Sequence, residues 1–185
     1  MLALIGLVVL VGNRAGLPVP WSWPDMMDKR PGRPASTLDV TGRPHVIDGD
    51  TLSLNGQKIR LTGIDAPERD QTCQTPSGAA WACGQQATQA LSERIGWSSI
   101  RCDVRGHDRY GRAIGTCFQG EQDLNRWMVA NGWAVAYRQY STDYVADEAR
   151  ARRTRAGMWS GTFTMPSEWR KARREASAAD SRVYR

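Results

Sequence analysis

Two stretches in which apolar and polar residues alternate, 45–54 and 57–65, flank the dipeptide Asn55-Gly56. Alternation is typical of a strand with one buried face, and Asn-Gly is the strongest short signal for a two-residue hairpin turn. The pattern therefore predicts a β-hairpin. Further strands are predicted near 99–105 and 112–118, with a short one at 133–137.

The segments between and after these strands have apolar residues at helical spacing. Apolar residues recur at four-residue steps in the first segment, which ends before Gly96, and Asp123 is a suitable N-cap for the second. The predicted helices cover 79–95, 123–131 and 142–156. Short strands followed by inserted helices indicate a small barrel of the mixed α+β class.

The two ends of the chain lack this organisation. Residues 1–12 form an apolar run that is short for a membrane span and typical of a signal-peptide core, so we predict a signal peptide or membrane anchor there; a buried strand or helix is the alternative. Residues 13–42 are predicted to be a Pro/Trp-rich linker. Residues 162–185 are predicted to be a basic tail with a short helix over 166–176 and a disordered end, which leaves 43–161 as the folded domain.

Composition agrees with one folded domain and adds a charge asymmetry. The chain has 185 residues, of which 41% are hydrophobic, enough for one core of ordinary size. The net charge of +6 fits a polyanionic partner, although a solvated basic face without such a role is also common. Residues 150–185 hold 10 Lys and Arg against 3 acids, whereas the rest holds 15 against 16, so the excess is C-terminal.

The chain has four cysteines, which help to predict where the protein is located: Cys73, Cys83, Cys102 and Cys117. Their number is even and no C-x-x-C occurs, which disfavours zinc. Cys102 and Cys117 lie in neighbouring predicted strands and could face each other, in which case Cys73 and Cys83 would close a short loop. Disulfides favour an exported protein, whether periplasmic, membrane-anchored or secreted; buried free thiols in a cytosolic protein are the alternative.

Carboxylates are crowded in and after the predicted hairpin. Asp48, Asp50, Asp65 and Glu68 lie near Arg60 in the sequence. A cluster of oxygen donors suits a hard cation such as calcium. A guanidinium beside such a cation is an arrangement that can bind a phosphodiester and stabilise its charge during cleavage.

A flat hairpin cannot bring these groups together. Asp50 would pair opposite Leu61, which leaves Asp65 about 13 Å further along, and Arg60 would point to the other face. A shared site therefore needs a bulge or sharp coiling, for which Gly49 and Gly63 are the candidates.

Five motifs in order, VIDGDT, IRLTGIDAPE, DRYGR, GWAVAY and GMWSG, resemble the staphylococcal nuclease (thermonuclease) family over residues 43–161. The resemblance implies a five-stranded OB-fold β-barrel with three helices. It also implies a monomeric, calcium-dependent nuclease that hydrolyses phosphodiester bonds of DNA or RNA, with single strands as substrate, and leaves 3′-phosphate ends.

The resemblance also implies roles for particular residues. Calcium ligands would be the carboxylates of Asp50 and Asp65 and the main-chain carbonyl of Ala66, where well-known members carry Thr. Glu68 would activate the attacking water, and Arg60 and Arg112 would bind the phosphate. The positions that match nucleotide-contacting residues of the family are Arg109, Tyr110, Tyr137 and Tyr140.

Two other functions are compatible with parts of the sequence. The first is a non-catalytic nucleic-acid-binding module, that is, a nuclease-like barrel that has lost its acids and arginines. This chain keeps all five candidate side chains, namely Asp50, Arg60, Asp65, Glu68 and Arg112. An envelope interaction protein that uses the Trp-rich linker would leave the same five side chains unexplained. The sequence therefore favours the enzyme.

Overall fold

The computed structural model describes the backbone of residues 38–183 and the side chains of residues 38–180. The predictions for 1–12 and for most of the linker lie outside these residues. The strands are β1 Leu38–Gly42, β2 Pro44–Asp48, β3 Thr51–Leu54, β4 Gln57–Leu61, β5 Ile64–Asp65, β6 Cys73–Gln74, β7 Ala80–Trp81, β8 Ile100–His107, β9 Ala113–Gln119, β10 Gln122–Asp123 and β11 Val135–Ala136. The helices are α1 Cys83–Ile95, α2 Leu124–Ala130, α3 Val145–Thr154 and α4 Pro166–Val183, with a 3-10 turn at Gly157–Ser160.

One curled sheet forms the frame of the molecule. Its strand order is β1-β8-β9-β4-β3-β2, with β10 added beside β9, and only the β4–β9 pair is parallel. Because Arg43 alone separates β1 from β2, the two ends of this path are halves of one bent strand. With β1 and β2 counted as one strand, the barrel has five principal strands, the other four being β3, β4, β8 and β9. Together with helices α1 to α3 they confirm the predicted α+β OB-fold barrel. Helix α4 is a fourth helix that follows the barrel.

The central hairpin forms as predicted. Asn55 and Gly56 have φ values of 51° and 80°, the left-handed pair that a type I′ turn requires. Both alternating runs break where coiling was required. The β2–β3 register shifts between Val46 and Asp48, and a turn at Gly63, with φ of 74°, separates β4 from β5.

Apolar side chains from the sheet and from α1 and α2 fill the barrel. The largest fully buried ones are Leu52, Leu54, Ile59, Leu61, Ile64, Leu91, Ile100, Leu124 and Met128. One buried polar side chain, Asn125, accepts a hydrogen bond from the Cys117 amide at 3.1 Å and donates to the Thr62 carbonyl at 2.9 Å. These bonds fix α2 against β9 and against the turn that precedes β5.

Several predicted boundaries were wrong. Residues 38–42, assigned to the linker, pair with β8 as β1, and Val40 packs on the core. Helix α1 begins at Cys83 instead of residue 79, because 80–81 pair with β6. Helix α3 is shorter at its start, where the Asp143 amide bonds the Ser141 hydroxyl and competes with helix formation. Helix α4 continues to Val183, where a disordered end was expected.

Other predictions are confirmed. Asp123 is the N-cap of α2, where its carboxylate accepts a hydrogen bond from the Arg126 amide. Disulfides join Cys73 to Cys83 and Cys102 to Cys117, and the second pair sits directly opposite in the β8–β9 register. Within residues 38–183, no helix is both long enough and apolar enough to cross a bilayer.

Residues 66–74, here called the acid loop, follow β5 and are fixed on two sides. The Cys73–Cys83 disulfide joins the loop to the start of α1. On the other side, Gln74 exchanges backbone hydrogen bonds of 2.8 and 3.0 Å with Thr162. A Cβ at Gly84 would lie 1.7 Å from the Glu68 carbonyl oxygen, so α1 packs directly against the backbone of the acid loop.

We expect Gly84→Ala to lower the free energy of unfolding by about 3 kcal/mol, because a backbone atom cannot yield to the added methyl as a flexible side chain would. Gly106→Ala is the matched control, since a Cβ there meets nothing within 4 Å. Urea unfolding of both variants measures the effect. Equal stabilities would contradict the packing of α1 against the acid loop.

Candidate active site

One arginine joins two buried carboxylates on the barrel. Arg60 of β4 donates to Asp50 at 2.6 Å and to Asp65 at 2.9 Å, and these acids are only 2% and 1% exposed. Asp50 comes from the turn between β2 and β3, and Asp65 ends β5. The breaks near Gly49 and Gly63 bring together groups that a flat hairpin would hold apart.

Further hydrogen bonds hold Asp50 in place. Its second carboxylate oxygen accepts from the Ala66 amide at 2.9 Å, and its own amide donates to the Asp48 carboxylate at 3.0 Å. Burial raises the pKa of the Asp50 carboxyl, although Arg60 acts in the opposite direction, and the charge of Asp48 adds to the increase. Arg60 alone therefore compensates only part of the cost of burying this charge.

A second arginine reaches Asp65, and also Glu68, from the C-terminal helix. Arg170 of α4 donates to both carboxylate oxygens of Asp65, at 2.9 and 3.0 Å, and to Glu68 at 3.0 Å. Burial by itself would lower the pKa of the Arg170 guanidinium, but the bonds to Asp65 and Glu68 raise it above the ordinary value. The Glu68 side chain is 32% exposed, so it lies at the rim of the cluster.

Arg112 does not bond to this group within the described residues. It precedes β9, and its guanidinium is held by Asp108 at 2.7 Å. In the parallel β4–β9 pair, buried Ile59 lies beside buried Ala113. Because side chains alternate along a strand, Arg60 and Arg112 both belong to the outer face.

Aromatic residues predicted to contact nucleotides form two exposed groups. Tyr110 is 69% exposed, and the Arg109 guanidinium lies 4.8 Å from its ring centroid. Tyr137 and Tyr140 pack edge to face at 4.8 Å, and Tyr140 is 68% exposed. The Tyr137 amide bonds the Gly63 carbonyl at 2.9 Å, which places this pair beside the turn before Asp65.

The donor chemistry of the cluster suits a hard cation. Within residues 38–180, no three His, Cys, Asp or Glu side chains are arranged as a metal site. The predicted ligand set is nevertheless all oxygen, with the carboxylates of Asp50 and Asp65 and the carbonyl of Ala66, as calcium prefers. When Asp50, Asp65 and Glu68 are all ionised, they outnumber the two guanidiniums that contact them, so the cluster can accept further positive charge.

Arg170 was missed by the sequence analysis, as was Gln71, whose buried side chain donates to the Thr164 carbonyl at 2.7 Å. Both join the acid loop to a segment about a hundred residues later in the chain. The helical spacing of Trp169, Arg170 and Arg173 was the available signal, because residues separated by three and four positions share one helix face.

Comparison with known proteins identifies the family of the chain. The family model for staphylococcal nuclease homologues matches residues 58–161, a range that includes Arg60, Asp65, Glu68 and Arg112 but neither Asp50 nor α4. The succinoglycan biosynthesis protein ExoI of Rhizobium meliloti is 38% identical over 126 residues, which are 65% of this chain and 64% of that protein. The chain thus spans slightly less than two thirds of that relative.

Two other relatives are matched over more of their length. An uncharacterized endonuclease of Haemophilus influenzae is 32% identical over 75% of this chain and 77% of its own length. A micrococcal nuclease of Shigella flexneri is 33% identical over 71% of this chain and 80% of its own length. These names and the family match support a hydrolytic nuclease. The chain belongs to the staphylococcal nuclease homologue family.

Proposed function

We propose that the protein is a calcium-dependent nuclease that hydrolyses phosphodiester bonds of DNA or RNA and leaves 3′-phosphate ends. The observation that carries the proposal is the bridge from Arg60 to buried Asp50 and Asp65, with Glu68 at the rim. Acids alone would suit a structural cation site, and arginines alone would suit phosphate binding. Their combination suits the cleavage of a phosphodiester.

The proposed calcium ligands are the carboxylates of Asp50 and Asp65 and the carbonyl of Ala66. When bound, calcium would supply positive charge to a phosphate oxygen and lower the pKa of nearby water. The protein contributes rigidity, since Asp50 is held by Arg60 and by the Ala66 amide. Ligands held in this way need little rearrangement.

Glu68 is the proposed general base. Its carboxylate is partly exposed, so it can accept a proton from a water at the rim, whereas Asp50 and Asp65 are buried. The fixed acid loop keeps this carboxylate beside the cluster. A base must lie within hydrogen-bond reach of the proton that it removes.

Arg60 and Arg112 are the proposed phosphate ligands. Negative charge builds on the phosphoryl oxygens as the attacking water bonds to phosphorus, and donors directed at that charge stabilise the transition state more than the ground state. Arg60 is oriented by two acids and Arg112 by Asp108. Each guanidinium is therefore positioned before the substrate arrives.

Single-stranded nucleic acid is the proposed substrate form. Tyr110 and Tyr140 are exposed rings, and the guanidiniums of Arg109 and Arg112 lie 4.8 and 5.7 Å from the centroid of the Tyr110 ring. Bases stack on such rings without regard to sequence, while arginines contact the backbone. A duplex keeps its bases stacked on each other, so it cannot use these rings in the same way.

We also propose that the protein is exported. Both cysteine pairs form disulfides, and such bonds persist in oxidising compartments outside the cytosol.

We expect the purified protein to cut single-stranded DNA or RNA in the presence of calcium and to stop when a chelator is added. Gel electrophoresis with an oligonucleotide that carries a fluorophore at its 5′ end measures cutting, and a mobility change of the labelled fragments after phosphatase treatment identifies a 3′-phosphate. Binding without calcium-dependent cutting would identify a non-catalytic nucleic-acid-binding module instead.

Glu68→Gln should retain the fold and slow cleavage about a hundredfold to ten-thousandfold, the usual contribution of a general base. Glu121→Gln is the matched control, because Glu121 is exposed in the turn after β9. Single-turnover rates at saturating substrate report the chemical step. A rate for Glu68→Gln equal to that of the control would remove Glu68 from the mechanism.

A further inference from the structure

Helix α4 places the guanidinium of Arg170 on Asp65, a proposed calcium ligand, and on Glu68, the proposed base. We propose that Arg170 is a tethered competitor of that cation, so that α4 must release Asp65 and Glu68 before calcium can bind. This inference rests on the proposed function, and it adds regulation of the site by the chain's own C-terminal helix.

Arg170 takes up the coordinating capacity of Asp65. One carboxylate oxygen of Asp65 accepts from both Arg60 and Arg170, and the other accepts from Arg170. Bonds of this charge-assisted, bidentate kind are the strong class of hydrogen bond. A divalent cation bound to the same oxygens would lie beside the guanidinium, and the two positive charges would repel each other.

Arg170 also occupies the proposed base. Its Nη1 is shared between Asp65 and Glu68, so one guanidinium nitrogen crosslinks a buried acid to the rim acid. While this bond persists, the Glu68 oxygen that accepts it is engaged with a guanidinium hydrogen instead of a water. The contact therefore opposes both cation binding and water activation.

The start of α4 is held close to the site. Arg173 forms an ion pair with Asp70 of the acid loop, and the Arg173 guanidinium also lies 4.7 Å from the centroid of the Trp169 ring. Gln71 bonds the Thr164 carbonyl just before the helix. A group tethered at such short range acts at a high effective concentration.

The rest of α4 adds little resistance to release. All residues from 171 to 180 are exposed, so this part of the helix has no apolar face buried against the barrel. Segments with few buried apolar contacts open at low free-energy cost. A helix that is held at its first turn and by ion pairs, and is exposed from residue 171 to 180, is suited to reversible displacement by a cation.

Calcium titration of the full chain by isothermal calorimetry tests the competition. If Arg170 holds the site in about nine-tenths of molecules, Arg170→Ala should bind calcium about tenfold more tightly. Arg174→Ala removes the same charge from an exposed position of the same helix and should leave calcium affinity unchanged. Arg170→Lys keeps the charge without the forked contact, so its affinity should be intermediate.

Thermal unfolding supplies an independent readout. Without calcium, Arg170→Ala should melt at a lower temperature than the native chain, because two acids lose a partner. With saturating calcium, the difference should shrink, because the native chain has also released these contacts. A difference that stays the same in calcium would indicate a purely structural contact and overturn the proposal.

The calorimetric outcomes separate this inference from the proposed function. If Arg170→Ala binds calcium no more tightly than the native chain, the proposed competition is wrong. Calcium-dependent cutting by the native chain would still support the proposed nuclease function. Absence of calcium binding in all variants would overturn both the competition and the calcium dependence. Arg170→Lys gives the same test if the alanine variant fails to fold.

Discussion

The pairing of Arg60 with Asp50 and Asp65 is the constraint around which the site is built. Two ionised carboxylates with 2% and 1% exposure need a counter-charge, and removal of one partner from a buried ion pair costs about 3–5 kcal/mol. Arg60 can serve both because it lies on β4, between β3 and β9 in the sheet. The turns near Gly49 and Gly63 follow from the same need, since they carry the acids to the arginine.

Glu68 lies at the edge of this buried centre, on the fixed acid loop. Glu68 is exposed enough to meet water, and the acid loop that carries it is fastened to α1 by the Cys73–Cys83 disulfide and to the C-terminal segment through Gln74. The same C-terminal segment continues into α4 and Arg170. The segment that fixes the acid loop therefore also carries Arg170, whose guanidinium bonds Glu68.

The sequence could predict the features that depend on neighbouring residues. Asn55-Gly56 specified its turn, Asp123 specified a helix start, and alternation with cysteine spacing predicted both disulfides. The need for coiling near Gly49 and Gly63 also followed, because a flat hairpin would separate the acids. The contact of Arg170 with Asp65 spans 105 positions and depends on how α4 lies on the barrel, which no local pattern specifies.

We propose that Asp50, Asp65, Glu68 and the arginines form one metal-assisted hydrolytic centre. A crystal structure of the Glu68→Gln variant with calcium and a short single-stranded oligonucleotide tests this arrangement. We expect calcium bound by Asp50 and Asp65, a phosphate on Arg60 and Arg112, and Arg170 withdrawn from Asp65. A cation bound elsewhere, or a phosphate that contacts neither arginine, would contradict it.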